Sequence, residues 1–234
     1  MNQSSLEEAN ESFQAFRLAL YAGGLSPFLS PFVTSHSINE YSGVNSRDSD
    51  HLREKLDPSL MEGLRSDVDT LEAWPVELSF QCILLEEGLA LSENVFSKAA
   101  ENAGRWSRLV CEKPLLKVVN DAANSAPKLL SLDQSLLHLW SAIEALFPSV
   151  SAELSFRIAL YLAQLIGPPT ARLACFEKVR DAYSLRSKVT HGSRQNISLE
   201  EWRSTWLLLM DAVNAIIRRQ SLPSEQELVS ELLG

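Results

Sequence analysis

The sequence predicts an all-α fold. Along most of the chain, apolar residues recur every three or four positions, which places them on one side of a helix. Ser131 and Ser198 are each followed three residues later by glutamine or glutamate, the pattern of a helix-capping box. Pro148, Gly167 and Gly192 follow stretches with a helical pattern, at positions where helices are expected to end. Together these observations predict helices joined by short connections.

Residues 1–112 are predicted to form a mostly helical N-terminal extension. Its first helix carries Phe13, Phe16 and Leu20 on one side, and a long loop rich in Gly, Ser, Pro and Asn follows over 22–50. Three more helices are predicted over the stretches 50–73, 76–85 and 92–110. The stretch 76–85 also alternates apolar and polar residues as a strand does, so a strand is the alternative there. A helix is still preferred, although it is the least secure of the three.

Residues 113–220 are predicted to form a helical bundle, and 221–234 a short C-terminal helix. Pro114 is expected to open the first helix of this region, at a position where proline is tolerated. Four apolar stripes follow, and they can bury their apolar sides only by packing on one another. These four helices are predicted at 131–147, 152–166, 171–191 and 198–219.

The composition is that of a globular protein without a metal site. Apolar residues make up 45% of the chain, yet no run approaches the roughly 18 apolar residues that span a bilayer. The polar, acidic N-terminus does not resemble a signal peptide, so we expect a cytoplasmic protein with no membrane contact. Cys82, Cys111 and Cys175 lie far apart in apolar surroundings, which predicts buried, reduced thiols. Neither a metal nor a cofactor is predicted.

The charge is unevenly distributed. The chain carries a net charge of −9, but residues 172–194 contain six basic and two acidic residues, a local net charge of +4. A phosphate-bearing ligand would favour this segment. A solvated helix face with a local excess of basic residues is the alternative interpretation.

This basic segment ends in the motif Tyr183-Ser-Leu-Arg-Ser-Lys-Val-Thr-His-Gly192. Arg186 offers a planar fork that suits phosphate, and His191 lies in the last turn of the predicted helix. At about 100° per residue, the two side chains lie roughly 140° apart around the helix axis. In the alternative interpretation, Arg186 only forms an ion pair with a nearby carboxylate, and His191 only binds free carbonyls at the helix end.

The motif, together with the segment Leu139-Trp-Ser-Ala-Ile-Glu-Ala-Leu-Phe147, resembles the HEPN superfamily, and within it the Apea-like HEPN branch. The resemblance covers about residues 113–220 and implies a four-helix bundle that forms a homodimer with a composite cleft. It further implies a metal-independent endoribonuclease, often a toxin or an effector of antiviral defence. Arg186, Ser187 and His191 occupy the positions of the motif residues, although many members carry asparagine where Ser187 stands.

Four further residues are assigned around the motif. Glu144 is predicted to orient Arg186, with a plain helix-surface position as the alternative. Tyr183 is a candidate for lining the cleft, although a core position is the favoured alternative. Lys188 and Arg194 flank the motif and are expected to contact RNA phosphates. His138, Trp202 and Trp206 are interpreted as structural residues.

The chemistry of such a site is cleavage of RNA by its own 2′-hydroxyl, giving 2′,3′-cyclic phosphate and 5′-hydroxyl ends. A rival hypothesis is a non-catalytic HEPN module that dimerises and binds RNA, a nucleotide or a protein partner. A third is a purely structural helical adaptor. If the protein is a toxin of this ribonuclease type, an antitoxin or a regulatory protein is expected as a further partner.

Overall fold

In a computed structural model, the chain is described over residues 3–30, 32–34, 71–73, 81–85 and 92–234. Within these residues the predicted all-α fold is confirmed: eight helices account for nearly all regular structure, and two strands of three residues each accompany them. The helices are α1 (Gln3–Ala22), α2 (Glu93–Glu112), α3 (Leu116–Ser125), α4 (Leu132–Ala145), α5 (Leu154–Ile166), α6 (Arg172–Thr190), α7 (Leu199–Arg219) and α8 (Glu225–Leu233).

The described residues fall into two compact units. The first comprises those of 1–28 and 81–234 and contains all eight helices; the second comprises those of 29–80. In the second unit, strand β1 (Phe32–Thr34) pairs antiparallel with β2 (Leu71–Ala73), so that Val33 lies opposite Glu72.

The short strands correct two sequence predictions. The loop predicted over 22–50 lacks regular structure at residues 25–30 but forms β1 at 32–34, and the helix predicted over 50–73 is wrong at its last three residues, which form β2. Backbone pairing between segments remote in sequence outweighs local helical periodicity here. Residues 35–70 lie outside the described part of the chain.

The helix predicted over 76–85 is wrong for residues 81–85, which have no regular structure. Their polar groups bond to other segments: the Ile83 N–H donates to the Pro127 carbonyl at 2.7 Å, and the Leu85 N–H donates to Ser26 Oγ at 2.9 Å. A backbone held by such distant partners cannot also form the bonds of a helix. Residues 74–80 lie outside the described part.

The predicted helix ends agree closely with the structure. Ser131 and Ser198 cap α4 and α7, and at α7 the Glu201 carboxylate also accepts from the Ser198 N–H, which completes a capping box. Gly192 follows α6 with φ of 70°, a backbone conformation that residues with a Cβ adopt only under strain. Pro114 lies in the turn before α3 and not in its first helical turn.

Helices α4 to α7 form the predicted four-helix packing, in which α7 contacts each of the other three. Trp202 and Trp206 on α7 are 0% and 1% exposed, and their rings stack with centroids 5.3 Å apart. Their predicted role as core residues is therefore confirmed. His138 is likewise a satisfied histidine, because its Nε2 lies 2.8 Å from Ser125 Oγ.

The N-terminal helices pack on the same body. Helix α1 contacts α2, α3 and α7, and the Asn214 side chain on α7 donates to the carbonyl of Ala22 at 2.6 Å. Between α1, α2 and α3, Asn120 accepts from Trp106 Nε1 and donates to Gln14. The described helices of the predicted extension 1–112 thus share one compact unit with the bundle, while the domain boundaries themselves stay a prediction.

A buried hydroxyl joins three segments at the centre of the bundle. Ser135 is fully buried on α4; its Oγ accepts from Trp202 Nε1 at 2.7 Å and donates to the Ala126 carbonyl at 2.6 Å. This side chain therefore connects α4 to α7 and to the 3₁₀ turn that follows α3.

The prediction of buried cysteines is wrong for Cys111, which is exposed on α2, while Cys82 and Cys175 are half-buried; none of the three is in a disulfide. An apolar sequence neighbourhood does not decide which side of a helix a residue faces. Among the described helices, none combines the length and the apolar character needed to cross a membrane.

We predict that Ser135→Ala lowers the free energy of unfolding by about 1–3 kcal/mol, because it leaves the buried Trp202 N–H without a partner. It also removes one of the two hydrogen bonds to the Ala126 carbonyl, which keeps the bond from the Leu129 N–H. Urea denaturation followed by tryptophan fluorescence measures the change. The control is Ser141→Ala on the same helix, where the hydroxyl is exposed and bonds only to Leu137. A loss no greater than that of the control would contradict this role for Ser135.

Candidate functional site

Helix α6 presents two different faces. Val179, Tyr183 and Arg186 are spaced four and three residues apart and point towards the bundle. Arg180, Ser184, Ser187 and His191 follow the same spacing one residue later, within about 60° of one another around the axis, and point outwards. Because of this offset, the arginine and the histidine of the motif lie on different faces of the helix.

On the core-facing side, Arg186 forms an ion pair with Glu144 of α4. Its Nη2 lies 2.9 Å from Glu144 Oε1 and donates a hydrogen bond to Oε2 at 3.2 Å. Each side chain is 26% exposed, so the pair is partly shielded from solvent. The Nε atom of Arg186 is buried with no hydrogen-bond partner among the described residues. Glu144 is therefore the carboxylate that pairs with Arg186.

The aromatic ring of Tyr183 lies next to this ion pair. The ring packs edge-on against Trp140 at 5.2 Å between centroids, and the Arg186 guanidinium lies 5.5 Å from the ring centroid. The residue is 8% exposed. Burial raises the pKa of the Tyr183 phenol, Arg186 opposes this shift and Glu144 adds to it, so the hydroxyl remains a protonated donor near neutral pH.

A polar surface cleft of about 430 Å³ opens beside the outward face of α6. Hydroxyl groups dominate its wall, with one cation and one anion among them. Its lining residues are Ser155, Arg180, Asp181, Tyr183, Ser184 and Ser187. Tyr183 thus belongs both to the core, through its ring, and to this cleft.

His191 forms the C-cap of α6. Its N–H donates to the Ser187 carbonyl at 3.0 Å, and its side chain is exposed. It does not line the cleft itself but lies one helical turn beyond Ser187 on the same face. The imidazole is therefore open to a solvent-borne ligand that also reaches the cleft.

The loop after His191 is held on both sides. Asp133 of α4 accepts from the N–H groups of Asn196 and Ile197 at 3.1 and 3.0 Å. Arg194 donates to Glu201 of α7 at 2.9 Å. The Ser198 N–H lowers the pKa of Glu201, and Arg194 lowers it further. These contacts stabilise the end of α6 from two neighbouring helices.

Some basic side chains of the motif region have an acidic partner and others have none. Arg186 and Arg194 are in ion pairs, and Lys178 interacts electrostatically with Asp211. Within the described part of the chain, Lys188 and Arg180 have no ion-pair partner, and both are exposed. Of the two residues predicted to contact RNA, Lys188 is the one whose charge is unpaired.

The cleft was not predicted from the sequence, although a signal for it exists. The spacing 180, 184, 187 and 191 is a helical stripe of polar residues, which periodicity analysis detects when it is applied to polar as well as apolar positions. Ser155 of α5 joins them only through tertiary packing. Among the described residues, no group of three or more Asp, Glu, His or Cys side chains has the arrangement of a metal site.

We predict a coupling energy of about 1 kcal/mol between Glu144 and Arg186 in a double-mutant cycle of Glu144→Gln and Arg186→Gln, because the pair is partly buried. Urea denaturation of the four proteins gives this value. The exposed pair Glu101–Arg105, at 3.6 Å on one helix, is the control and should couple by about 0.5 kcal/mol or less. Equal coupling in the two pairs would contradict the structural importance of the first.

We predict that Glu201→Gln lowers the free energy of unfolding by about 0.5–1 kcal/mol at neutral pH. The pKa of Glu201 is lowered in the folded protein, so its stabilising effect is present above the ordinary glutamate pKa. That effect is lost as the pH falls through the lowered value, because the protonated carboxyl then resembles glutamine. Denaturation curves across the acid range should therefore converge for the two proteins. A difference that stays constant with pH would show that charge plays no part.

The chain matches no protein-family model, no curated protein and no solved structure.

Proposed function

We propose that the protein is a metal-independent endoribonuclease of HEPN type that acts as a homodimer. The main support is the exposed imidazole of His191 at the end of α6, one turn beyond Ser187 and the polar cleft. Histidine titrates near neutrality and can both accept and supply a proton in the same reaction. The resemblance of residues 139–147 and 183–192 to HEPN proteins supplies the reaction class.

In the proposed reaction, His191 removes the proton from a ribose 2′-hydroxyl. The 2′-oxygen then forms a bond to the adjacent phosphorus, and the bond from phosphorus to the 5′-oxygen breaks. A protonated His191 from the second copy supplies the proton that the leaving 5′-oxygen needs. The products are a 2′,3′-cyclic phosphate and a 5′-hydroxyl, and no metal or redox partner takes part.

Arg186 is proposed to stabilise the extra negative charge on phosphorus during this step. Glu144 and Tyr183 hold its guanidinium in place on the core side of α6. Within one chain, this arginine and His191 diverge by about 140°. That divergence supports a homodimer, since a second copy is the simplest source of a histidine facing the arginine. Ser187 lies between the two in sequence and contributes a hydroxyl to the cleft.

A second candidate function is a non-catalytic HEPN module that dimerises and binds RNA, a nucleotide or a protein. The observation that favours it is the ion pair between Arg186 and Glu144, which already occupies part of the guanidinium. In this alternative, Arg186 is structural, and the cleft beside Ser184 binds a ligand without changing it.

We predict that the protein cleaves single-stranded RNA in the presence of EDTA and leaves 2′,3′-cyclic phosphate ends. His191→Ala should reduce the rate by about 10²–10⁴, and Arg186→Ala by about 10²–10³. Gel electrophoresis measures cleavage, and treatment with a cyclic-phosphate-removing kinase identifies the ends. The controls are Arg108→Ala, which removes an exposed cation from α2, and His138→Gln, which changes a histidine outside the motif.

The outcomes separate the two candidates. Cleavage that is equal in the wild type and the motif variants would identify a contaminating nuclease and end the catalytic proposal. A dimer that binds RNA but leaves it intact would support the non-catalytic module. If catalysis is established, growth arrest on expression in the cytoplasm, absent with His191→Ala, would support a role as a toxin or defence effector held in check by an antitoxin.

A further inference from the structure

The outward face of α6 carries a cation that the motif does not include. Arg180 lines the polar cleft and shares its helix face with Ser184, Ser187 and His191. Arg186, by contrast, points to the core side and pairs with Glu144. The arginine on the same surface as the exposed histidine is therefore Arg180.

We propose that Arg180 is a phosphate-contacting residue of the cleft and binds a backbone phosphate of single-stranded RNA at a position away from the scissile bond. This inference rests on the proposed function for its choice of ligand. Its structural basis is one cavity, one unpaired cation that lies outside the motif, and a row of hydroxyl groups on one helix face.

The guanidinium of Arg180 is free to bind an anion. It has no ion-pair partner within the described part of the chain, and it lies 5.8 Å from the centroid of the Phe176 ring. An aromatic ring restrains an arginine without consuming its hydrogen-bond donors. The five N–H groups of this exposed side chain therefore remain available and suit the oxygens of a phosphodiester.

The hydroxyl groups next to it extend the site along the helix. Ser184 and Ser187 follow Arg180 on the same face, and Ser155 of α5 closes the cleft from the other side. Neutral hydroxyl groups donate to phosphate oxygens, and they both donate to and accept from ribose hydroxyl groups. Together they provide polar contacts for the backbone between the cation and the histidine.

The length of this surface determines the kind of ligand. Arg180 and His191 are eleven positions apart, so the two residues lie about 16 Å apart along the helix at about 1.5 Å per residue. A mononucleotide cannot reach both ends. A chain with several phosphates can contact Arg180 through one phosphate while another lies at His191, which favours an oligonucleotide.

Asp181 lines the same cleft and opposes an anion. Its negative charge is expected to weaken phosphate binding at Arg180. Substitutions of Asp181 and of Arg180 should therefore change the affinity for RNA in opposite directions. Removing this carboxylate should strengthen binding, whereas removing the Arg180 guanidinium should weaken it.

The test measures binding without catalysis. A short fluorescein-labelled 2′-O-methyl oligouridylate lacks the free 2′-hydroxyl that cleavage requires, so fluorescence anisotropy reports binding alone. Titrations at several salt concentrations compare the wild type with Arg180→Gln, Arg180→Lys and Asp181→Asn. The matched control is Arg108→Gln, which removes one exposed arginine charge from α2.

We expect Arg180→Gln to bind about five- to tenfold more weakly and to reduce the slope of log affinity against log salt by about 0.7, the value for one lost phosphate contact on a single strand. Arg180→Lys keeps the positive charge, so it should retain the salt slope and part of the affinity. Asp181→Asn should bind the oligonucleotide about threefold more tightly. The control Arg108→Gln should match the wild type in both affinity and slope.

Two results would overturn the proposal: a wild type that does not bind the oligonucleotide, or an Arg180→Gln variant with the same affinity and slope as Arg108→Gln. Failure of the catalytic function gives a different pattern. In that case RNA with free 2′-hydroxyls stays uncut, yet the dependence of binding on Arg180 and Asp181 persists.

Discussion

The helical period of α6 is the constraint on which the candidate site depends. Burial of Val179 and Tyr183 against the bundle sets the rotation of this helix, and Arg186 then follows them to the core side because it continues the same row. The row one residue later must point outwards, which places Ser187 and His191 at the surface. Core packing therefore explains why Arg186 lies on the core side of α6, where it is paired, while His191 is exposed. It needs no special backbone geometry within the helix.

Neighbouring helices make that rotation rigid. The ring of Tyr183 packs against Trp140 of α4, and the carboxylate of Glu144 from the same helix accepts from Arg186. Helix α4 is in turn attached to α7 through Ser135 and Trp202, while Asp133 at its N-terminus holds the loop that follows His191. A disturbance of α4 would therefore reach both ends of the site, since it supplies contacts to the arginine and to the loop beyond the histidine.

Local sequence signals predicted the helices well and the remaining structure poorly. Serine caps and the stop at Gly192 located the ends of α4, α6 and α7 to within about two residues, because capping bonds are formed between residues close in sequence. The strand at Leu71–Ala73 and the irregular segment 81–85 were both predicted as helix. Their backbone bonds run to distant segments, and apolar spacing contains no information about such partners.

The sequence by itself determined the positions and ends of helices α4 to α7, and that a basic segment terminates in an arginine and a histidine about 140° apart. These properties follow from local periodicity and capping. Only the tertiary structure decided that Glu144 is the partner of Arg186 and that Ser155 joins Arg180 and Ser187 around one cleft. It also placed Cys111 at the surface. Such pairings depend on how α4, α5 and α6 rotate against one another, and that rotation is set by the burial of their combined apolar surfaces.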